Sequence, residues 1–544
     1  MTMTADEGIQ GVLADFSGKA RNRARSWRDG TRTTSLDGRS VGDTVRVRAG
    51  RSVLTARIVD RFDAWALRDE CRDEVAAALS DAGIPHLGLD STDDTPHRIV
   101  VSAEDARRVP EALAPLAARP HLHVARVHGT RPSPARPLAS FDSAGPGDVV
   151  RIFSAQISRA GRLLPTTGLG VDLEIWQQVT TPRESPDGPL LPAGTLVAPR
   201  VNAHARFLPP EALTGRSSRP ATPALEQVTF PIDVVYTWVD ADDPGWQADF
   251  AAARRGSDAS STHTSSVSAS RFTSREELRY SLRSLAAFAS WVRTIHVVTN
   301  GQVPAWLDTD HPRIRVVTHD EIFPDASHLP TFNSHAIEAN LHRIPGLAEH
   351  YLYLNDDVFL ARPLRPEHFF TAGGLLRYFP SMVPVEDGQA DAADLPVVAA
   401  FKNGARIIED RFGRRPTTRP RHTPHPQRRD VLEEIDRACP EAVRRTSAAR
   451  FRRPSDLSVA AQLQAYWAAA TGRAVAADTT YEFIDIGDPG SDRRIDRRID
   501  RMLVRSDLDC YCLNETHTDH PELAHRRVDR IVTTLLPFAS PYER

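Results

Sequence analysis

Four short apolar runs, each closing on polar residues, set the strongest limit on what this chain can fold into. Residues 232–240 read IDVVYTWVD, 294–300 TIHVVTN, 314–320 IRVVTHD and 351–360 YLYLNDDVFL. Runs of this length, rich in β-branched residues, fit strands buried on both faces. Helical patterns between them supply the crossovers that parallel strands need. The pattern predicts an α/β fold with a mixed, mostly parallel sheet and flanking helices. Open sheets of this kind bind ligands outside the carboxyl ends of their strands. Here those ends carry Asp240, Asn300, Asp320 and the cluster Asn355, Asp356 and Asp357.

At 544 residues the chain is too long for one compact domain. Smaller N-terminal modules are expected before the sheet: a poorly ordered start over 1–40, an α+β module over 41–130 and a β-rich module over 143–215. The Pro- and Gly-bearing stretch RPSPARPLASFDSAGPGD reads as the linker between the two modules. The main domain is expected over 228–544. Lys plus Arg number 68 and Asp plus Glu 71, a net charge of −3, so no global basic field marks a nucleic-acid partner. Four cysteines are too few for a disulfide-built fold. No signal peptide and no apolar run of about 20 residues is evident, so a cytoplasmic protein is expected. Contact with the inner face of a membrane stays open.

Candidate chemistry lies in the second half. Adjacent Asp356 and Asp357 at a buried strand end are costly unless a cation joins them, and a hard divalent ion would do so. Ser274 and Glu277 have capping-box spacing, and Leu278, Leu282 and Leu285 share one face of the helix that follows. Arg279 and Arg283, four apart, suit either a solvated face or phosphate. In LPTFNSHAIE (329–338), Asn333, Ser334 and Glu338 mark a helix start that suits either capping or sugar and phosphate contact. Residues 413–429 hold six arginines and two histidines without an acid. Prolines 424 and 426 stiffen the backbone around His422 and His425, either of which could act as a general base. Arginine charge nearby would favour the neutral form of His422. Arg452 and Asp456 precede another helix and form a candidate phosphate clamp with its orienter. The Ser/Thr-rich stretch 254–270 is a candidate lid.

Together these segments resemble the Stealth family of sugar-phosphate transferases over about 231–520. The blocks are 232–246, 271–360, then 421–435 with 449–458, and finally CYCLNETHTD (510–519). Asn514-Glu515 stands where the fourth block of the family reads Asn-Asp, and Ala241 stands where its first block carries Gly. The resemblance implies a nucleotide-sugar-binding, GT-A-like fold. It also implies transfer of a hexose-1-phosphate, expected to be N-acetylhexosamine-1-phosphate, from a UDP-sugar to an acceptor glycan hydroxyl. UMP would be released, in capsule or exopolysaccharide synthesis. By the same resemblance Asp233, Thr237, Trp238 and Asp240 shape the nucleotide side, with Asn300 and Arg279 beside it. Asp356, Asp357, Asn514 and Glu515 surround Mg²⁺ or Mn²⁺. His422 is the base, with His425 as its alternate; Arg452 stabilises phosphoryl oxygens and Asp456 holds it. Asn333, Ser334 and Glu338 contact sugar. The rival readings are a metal-dependent glycosyltransferase that releases UDP, and a glycan-binding protein without turnover.

Overall fold

The computed structural model describes residues 40–41, 43–89, 96–129, 131–185, 190–200, 205–213, 223–256, 272–487, 492–503, 505, 507–515 and 520–544. The expected disordered start, most of the candidate lid and the end of the fourth block lie outside these residues. Two compact units divide the chain. The first is built mainly from residues up to 224 and the second mainly from Leu225 onward.

The first unit departs from the expected pair of modules. Its hairpin joins β1 (Thr44–Ala49) to β2 (Ser52–Val59), followed by helix α1 (Ala64–Asp81). Strands β3 (His97–Ser102), β4 (Leu122–His128), β5 (Val149–Ser154), β6 (Gln156–Ser158) and β7 (Val171–Gln178) follow. β7 pairs parallel with β3 and antiparallel with β5, β5 pairs with β4, and β6 pairs parallel with β2. Strands from both sides of the presumed linker therefore interleave in shared sheets. The linker itself is anchored, because Leu138 and Phe141 are buried in the common core. Its prolines mark edge pairing and turns rather than a domain boundary.

The second unit holds the predicted sheet. Its strands are β8 (Ile232–Thr237), β9 (Ile295–Thr299), β10 (Ile314–Thr318), β11 (His350–Asn355) and β12 (His425–Arg428). The spatial order is β10-β9-β8-β11-β12; the first four are parallel and β12 is antiparallel to β11. Alternate residues serve the two faces. Val235, Val298, Val317, Tyr351 and Tyr353 pack on Ile322, Leu341 and Ile344. On the other side Tyr236 pairs its hydroxyl with Ser281 Oγ at 2.8 Å. Ser281 belongs to helix α2 (Glu277–Phe288), whose Leu278, Leu282 and Leu285 are buried as their spacing predicts.

The start of α2 differs from the expected capping box. The residue before the helix is Glu276, in the left-handed region at φ 65°, and Glu277 accepts a hydrogen bond from the Arg275 backbone N–H. Arg279 and Arg283 do not face phosphate. Both bind Glu543: Arg279 Nε at 2.7 Å, Arg283 Nε at 2.8 Å and Arg283 Nη2 at 2.7 Å. Four residues apart, they share a helix face, and a carboxylate from the chain's end fills it. Among the described residues no helix is long and apolar enough to cross a membrane.

The two guanidinium groups depress the Glu543 carboxyl to about 2, against the penalty of burial. The unfolded group titrates near about 4.3. Stabilisation from this cluster is therefore present above that value and is lost as pH falls towards 2. Glu543→Gln should lower stability at pH 7 by about 1–2 kcal/mol after allowance for solvent screening. In urea melts the gap between wild type and variant should narrow at pH 3; a gap independent of pH would show that the ion pairs are not its source.

Candidate active site

The reversal of one strand assembles the site. β8 and β11 end at Thr237 and Asn355, on the carboxyl edge of the sheet. β12 runs the other way, so it enters at that same edge, with His425 opposite Tyr353. The segment leading into it carries His422 to the Asn355-Asp356-Asp357 turn. Strand β13 (Val358–Leu360) leaves that turn and pairs antiparallel with β14 (Cys510–Asn514), with Val358 opposite Cys512. The chain's last block thereby reaches the acids of an earlier one.

At the turn, His422 Nε2 is 3.4 Å from Asp357 Oδ1 and 3.2 Å from Asn355 Nδ2. Cys512 Sγ donates to Asp357 Oδ2 at 3.3 Å. One ligand atom from each of Asp357, His422 and Cys512 lies within 4.8 Å of the others. Burial pushes the His422 imidazole down, but the Asp357 charge and hydrogen bond push it further up, so the net shift is upward. This reverses the expected direction: Arg452 does lower it, but Asp357 is the stronger neighbour. His425 is half-buried beside His422 and desolvation pushes it down to about 3, so it is neutral and a poor alternate base.

The acids divide their roles. Burial, then the like charges of Glu277 and Asp357, raise Asp356 well above the usual carboxylate range. Asp357 stays low because His422 and the Cys512 thiol outweigh its burial. Glu277 is itself raised, by burial first and by Asp357 among its neighbours. Like-charged carboxylates drawn partly out of water call for a cation, and their oxygen donors fit a hard divalent ion. Asn514 ends β14 at the same turn. Glu515 follows it and forms an ion pair at 2.6 Å with buried Arg275. Its carboxylate is therefore already engaged by a cation of the protein.

The second half of the site is a basic group braced from behind. Arg452 Nη2 donates to Ser334 Oγ at 2.6 Å. Burial lowers the Arg452 guanidinium against the attraction of Glu338, Tyr353 and Asp456. Glu338 accepts from Ser458 Oγ and the Ala461 N–H, both at 3.2 Å. Asn333 caps helix α3 (Ser334–Glu338), accepting from the His335 N–H at 3.1 Å. Its amide donates to Asp456 Oδ2 at 2.8 Å, and Asp456 also accepts from the Arg453 N–H at 3.0 Å. Both side chains are fully buried. Asn333 is thus a cap and not a sugar contact, and Asp456 locks the loop that carries Arg452. Phe332 and Phe451, each one residue before these groups, stack at 5.5 Å in a cluster with Trp246 and Phe250.

Other expected residues spread along the edge or leave it. Thr237 Oγ1 lies 3.3 Å from the Tyr353 hydroxyl. The Asp240 N–H donates to Gln302 Oε1 at 2.9 Å, and Gln302 Nε2 donates back to the Asp240 carbonyl at 2.8 Å. This clamp ties the loops after β8 and β9. Trp238, partly exposed, lies between Thr237 and that clamp, and Asn300 is exposed after β9. Ala241 needs no left-handed backbone, because Glu276 alone among the described non-glycine residues has positive φ. Asp233 is placed wrongly by the sequence reading. It lies at the amino end of β8, paired twice with Arg293 at 2.8 and 2.6 Å and bonded by the Ala348 N–H. Burial opposes, but His296 Nε2 at 3.3 Å, with Arg293 and the Ala348 N–H, holds its carboxyl at about 2. Asp233 is structural. Sequence reasoning missed Glu277, Arg275 and Cys512 as members of the site. Their one signal is position, in the same two blocks that carry Arg279 and Asn514.

The sequence matches the models for Stealth protein conserved region 1 over 230–258, region 2 over 271–378 and region 3 over 421–469. The exopolysaccharide phosphotransferase SCO6023 of Streptomyces coelicolor is 38% identical over 535 residues, covering 92% of this chain and 87% of the relative. The exopolysaccharide phosphotransferase CpsY of Mycobacterium tuberculosis is 34% identical over 417 residues, 73% of each chain. Among solved structures, galactosyltransferase LgtC in complex with donor and acceptor sugar analogs matches at TM-score 0.29 and 11% identity, over 56% of this chain and 96% of that one.

Asp456→Ala would strip a buried acceptor from the Asn333 amide and the Arg453 N–H. The expected cost is about 2–4 kcal/mol of stability, the price of stranded buried donors. Thermal melting reads it, and a melting curve like wild type would show that Asp456 braces nothing.

Proposed function

The chain belongs to the Stealth protein family and is a phosphotransferase, and from that premise we propose that it moves a hexose-1-phosphate from a UDP-sugar to a hydroxyl of an acceptor glycan in exopolysaccharide synthesis. The observation that carries this reading is the pairing of His422 with Asp357 beside an acidic turn, with Arg452 held nearby. A glycosyl transfer needs no base and guanidinium arranged around a phosphorus atom. In the proposed step, the acceptor oxygen attacks the β-phosphorus of the donor. The new P–O bond forms as the bond to the bridging oxygen breaks, and UMP leaves. His422 takes the hydroxyl proton at Nε2. The Asp357 carboxylate raises the imidazole above its usual value and so strengthens it as a proton acceptor. Arg452, fixed by Ser334, stabilises charge on the non-bridging oxygens, the main requirement of phosphoryl transfer.

Mg²⁺ or Mn²⁺, held by Asp356, Asp357 and the Asn514 amide, would neutralise the diphosphate when bound. Glu277 adds negative charge to that cradle, and the Arg275–Glu515 pair closes its side. Thr237, Trp238 and Asp240 line the nucleotide side of the edge. The Gln302 clamp keeps that side in register with β9. Asn300 stands exposed beside it, open to solvent and donor. Ser334 and Glu338 face the sugar through Arg452.

Purified protein with Mg²⁺, a panel of UDP-sugars and glycan acceptors should release UMP in proportion to acceptor. His422→Ala should cut that rate by about 10²–10⁴-fold with an unchanged melting temperature. Release of UDP instead would mean glycosyl transfer and would overturn the roles of His422 and Arg452. Binding can be followed without turnover. Mn²⁺ should raise the melting temperature of wild type, and Asp357→Ala should remove that rise; equal stabilisation of both proteins would place the ion elsewhere.

A further inference from the structure

The acidic turn carries a donor set that the hard cation of the proposed transfer does not need. Cys512 contributes sulfur and His422 contributes imidazole nitrogen, and both stand against the same carboxylate. Magnesium has little affinity for either atom, whereas zinc favours both. The spacing also fits. With bonds of about 2.0–2.3 Å, two ligands on a tetrahedral zinc stand about 3.3–3.6 Å apart. The two Asp357 oxygens divide between the partners, Oδ2 at 3.3 Å from Cys512 Sγ and Oδ1 at 3.4 Å from His422 Nε2, so a metal at this corner would draw on both oxygens of the carboxylate. The third pair falls within 4.8 Å, so a small closing motion completes a three-ligand face. Three protein ligands leave a fourth position for water or a phosphate oxygen. Access comes from the His422 side, because His422 is 33% and Asp357 18% exposed while Cys512 is fully buried behind them.

We propose that Asp357, His422 and Cys512 form a binding site for a thiophilic divalent metal of the zinc type, and that filling it shuts down phosphoryl transfer. On binding, the metal takes the place of the thiol proton, which leaves to solvent, and three coordinate bonds form without any redox change. The same event occupies the Nε2 lone pair of His422 and the Asp357 carboxylate. An occupied site therefore has neither a free base nor its acidic partner. The inhibition rests on the transfer reading given above; the binding does not.

The test uses the full chain and two probes. Cd²⁺ reports a thiolate ligand through its ultraviolet sulfur-to-metal charge-transfer band, and Zn²⁺ affinity is measured by competition with a chromophoric chelator. Wild type should show a band equivalent to one thiolate that Cys512→Ser loses and Cys510→Ser keeps. Zn²⁺ should bind Cys512→Ser at least about 100-fold more weakly. His422→Gln, at a partly exposed position, keeps the thiol and should bind Zn²⁺ at least about tenfold more weakly, which covers failure of the serine variant to fold. No band in wild type, or an equal band in Cys512→Ser, would overturn the site. In the transfer assay, one equivalent of Zn²⁺ should suppress UMP release in the presence of Mg²⁺. Binding as described with transfer unaffected would overturn the inhibitory role alone, and absence of any transfer would count against the function and leave the metal result standing.

Discussion

Half-buried Asp356 and Asp357 and buried Glu277 lie within electrostatic reach of one another, and the cost of withdrawing them from water shapes everything around them. Removing a carboxylate from water costs several kcal/mol even after relaxation. The protein offsets that cost unevenly. Asp357 receives His422 and a thiol, Glu515 receives Arg275, and Asp356 receives neither, so its carboxyl is driven up towards the neutral form. An arrangement that leaves one acid of an adjacent pair so poorly compensated is a poor choice for stability alone. It is a good choice for a site whose missing positive charge arrives with the substrate.

The scaffold's task is to keep these acids from moving apart. Ser281 on α2 receives the Tyr236 hydroxyl and donates to the Val358 carbonyl, tying β8 and β13 to one helix. Glu543 then pins the outer face of that helix through Arg279 and Arg283. The helix start pays locally: Glu276 adopts a left-handed backbone that costs a non-glycine residue roughly 1 kcal/mol or more. That turn is also what projects Glu277 and Arg275 towards the acids. Strain of this kind persists where surrounding structure over-determines it, and here the Arg275–Glu515 pair and the Glu543 clamp lie on either side.

Much of this was legible in the residues. The four apolar runs form the parallel strands, and the polar residues at their ends converge on one edge. Leu278, Leu282 and Leu285 are buried as their spacing requires. What failed did so for physical reasons. Asp233 belongs to the same run as Asp240, but four to seven residues of strand separate the two ends of a sheet by more than a substrate's width. Arg279 and Arg283 look identical whether they meet phosphate or Glu543, because the partner lies some 260 positions away in sequence. The paired N-terminal modules dissolved because strand pairing is non-local, so a proline-rich stretch that punctuates the sequence need not divide the sheet. The direction of the His422 shift was not legible: six nearby arginines were visible in the sequence, whereas the Asp357 contact that raises it is tertiary.

The two halves of the site are opposite in sign and are fixed by unrelated means. The acidic half is placed by strand geometry: β11 ends, the chain turns, and β13 locks the turn against β14. The basic half is placed by burial: Phe332 and Phe451 stack, Asn333 and Asp456 bond behind them, and Arg452 is left pointing forward onto Ser334. A diphosphate is the kind of ligand that such a division suits. It carries enough negative charge to need the guanidinium on one side, and it needs a cation before the acids on the other side can tolerate it. Neither half could bind it well alone, since the acids repel it and a single arginine with Glu338 and Asp456 close by cannot balance its full charge. A ligand lacking either the charge or the accompanying cation would leave one half uncompensated.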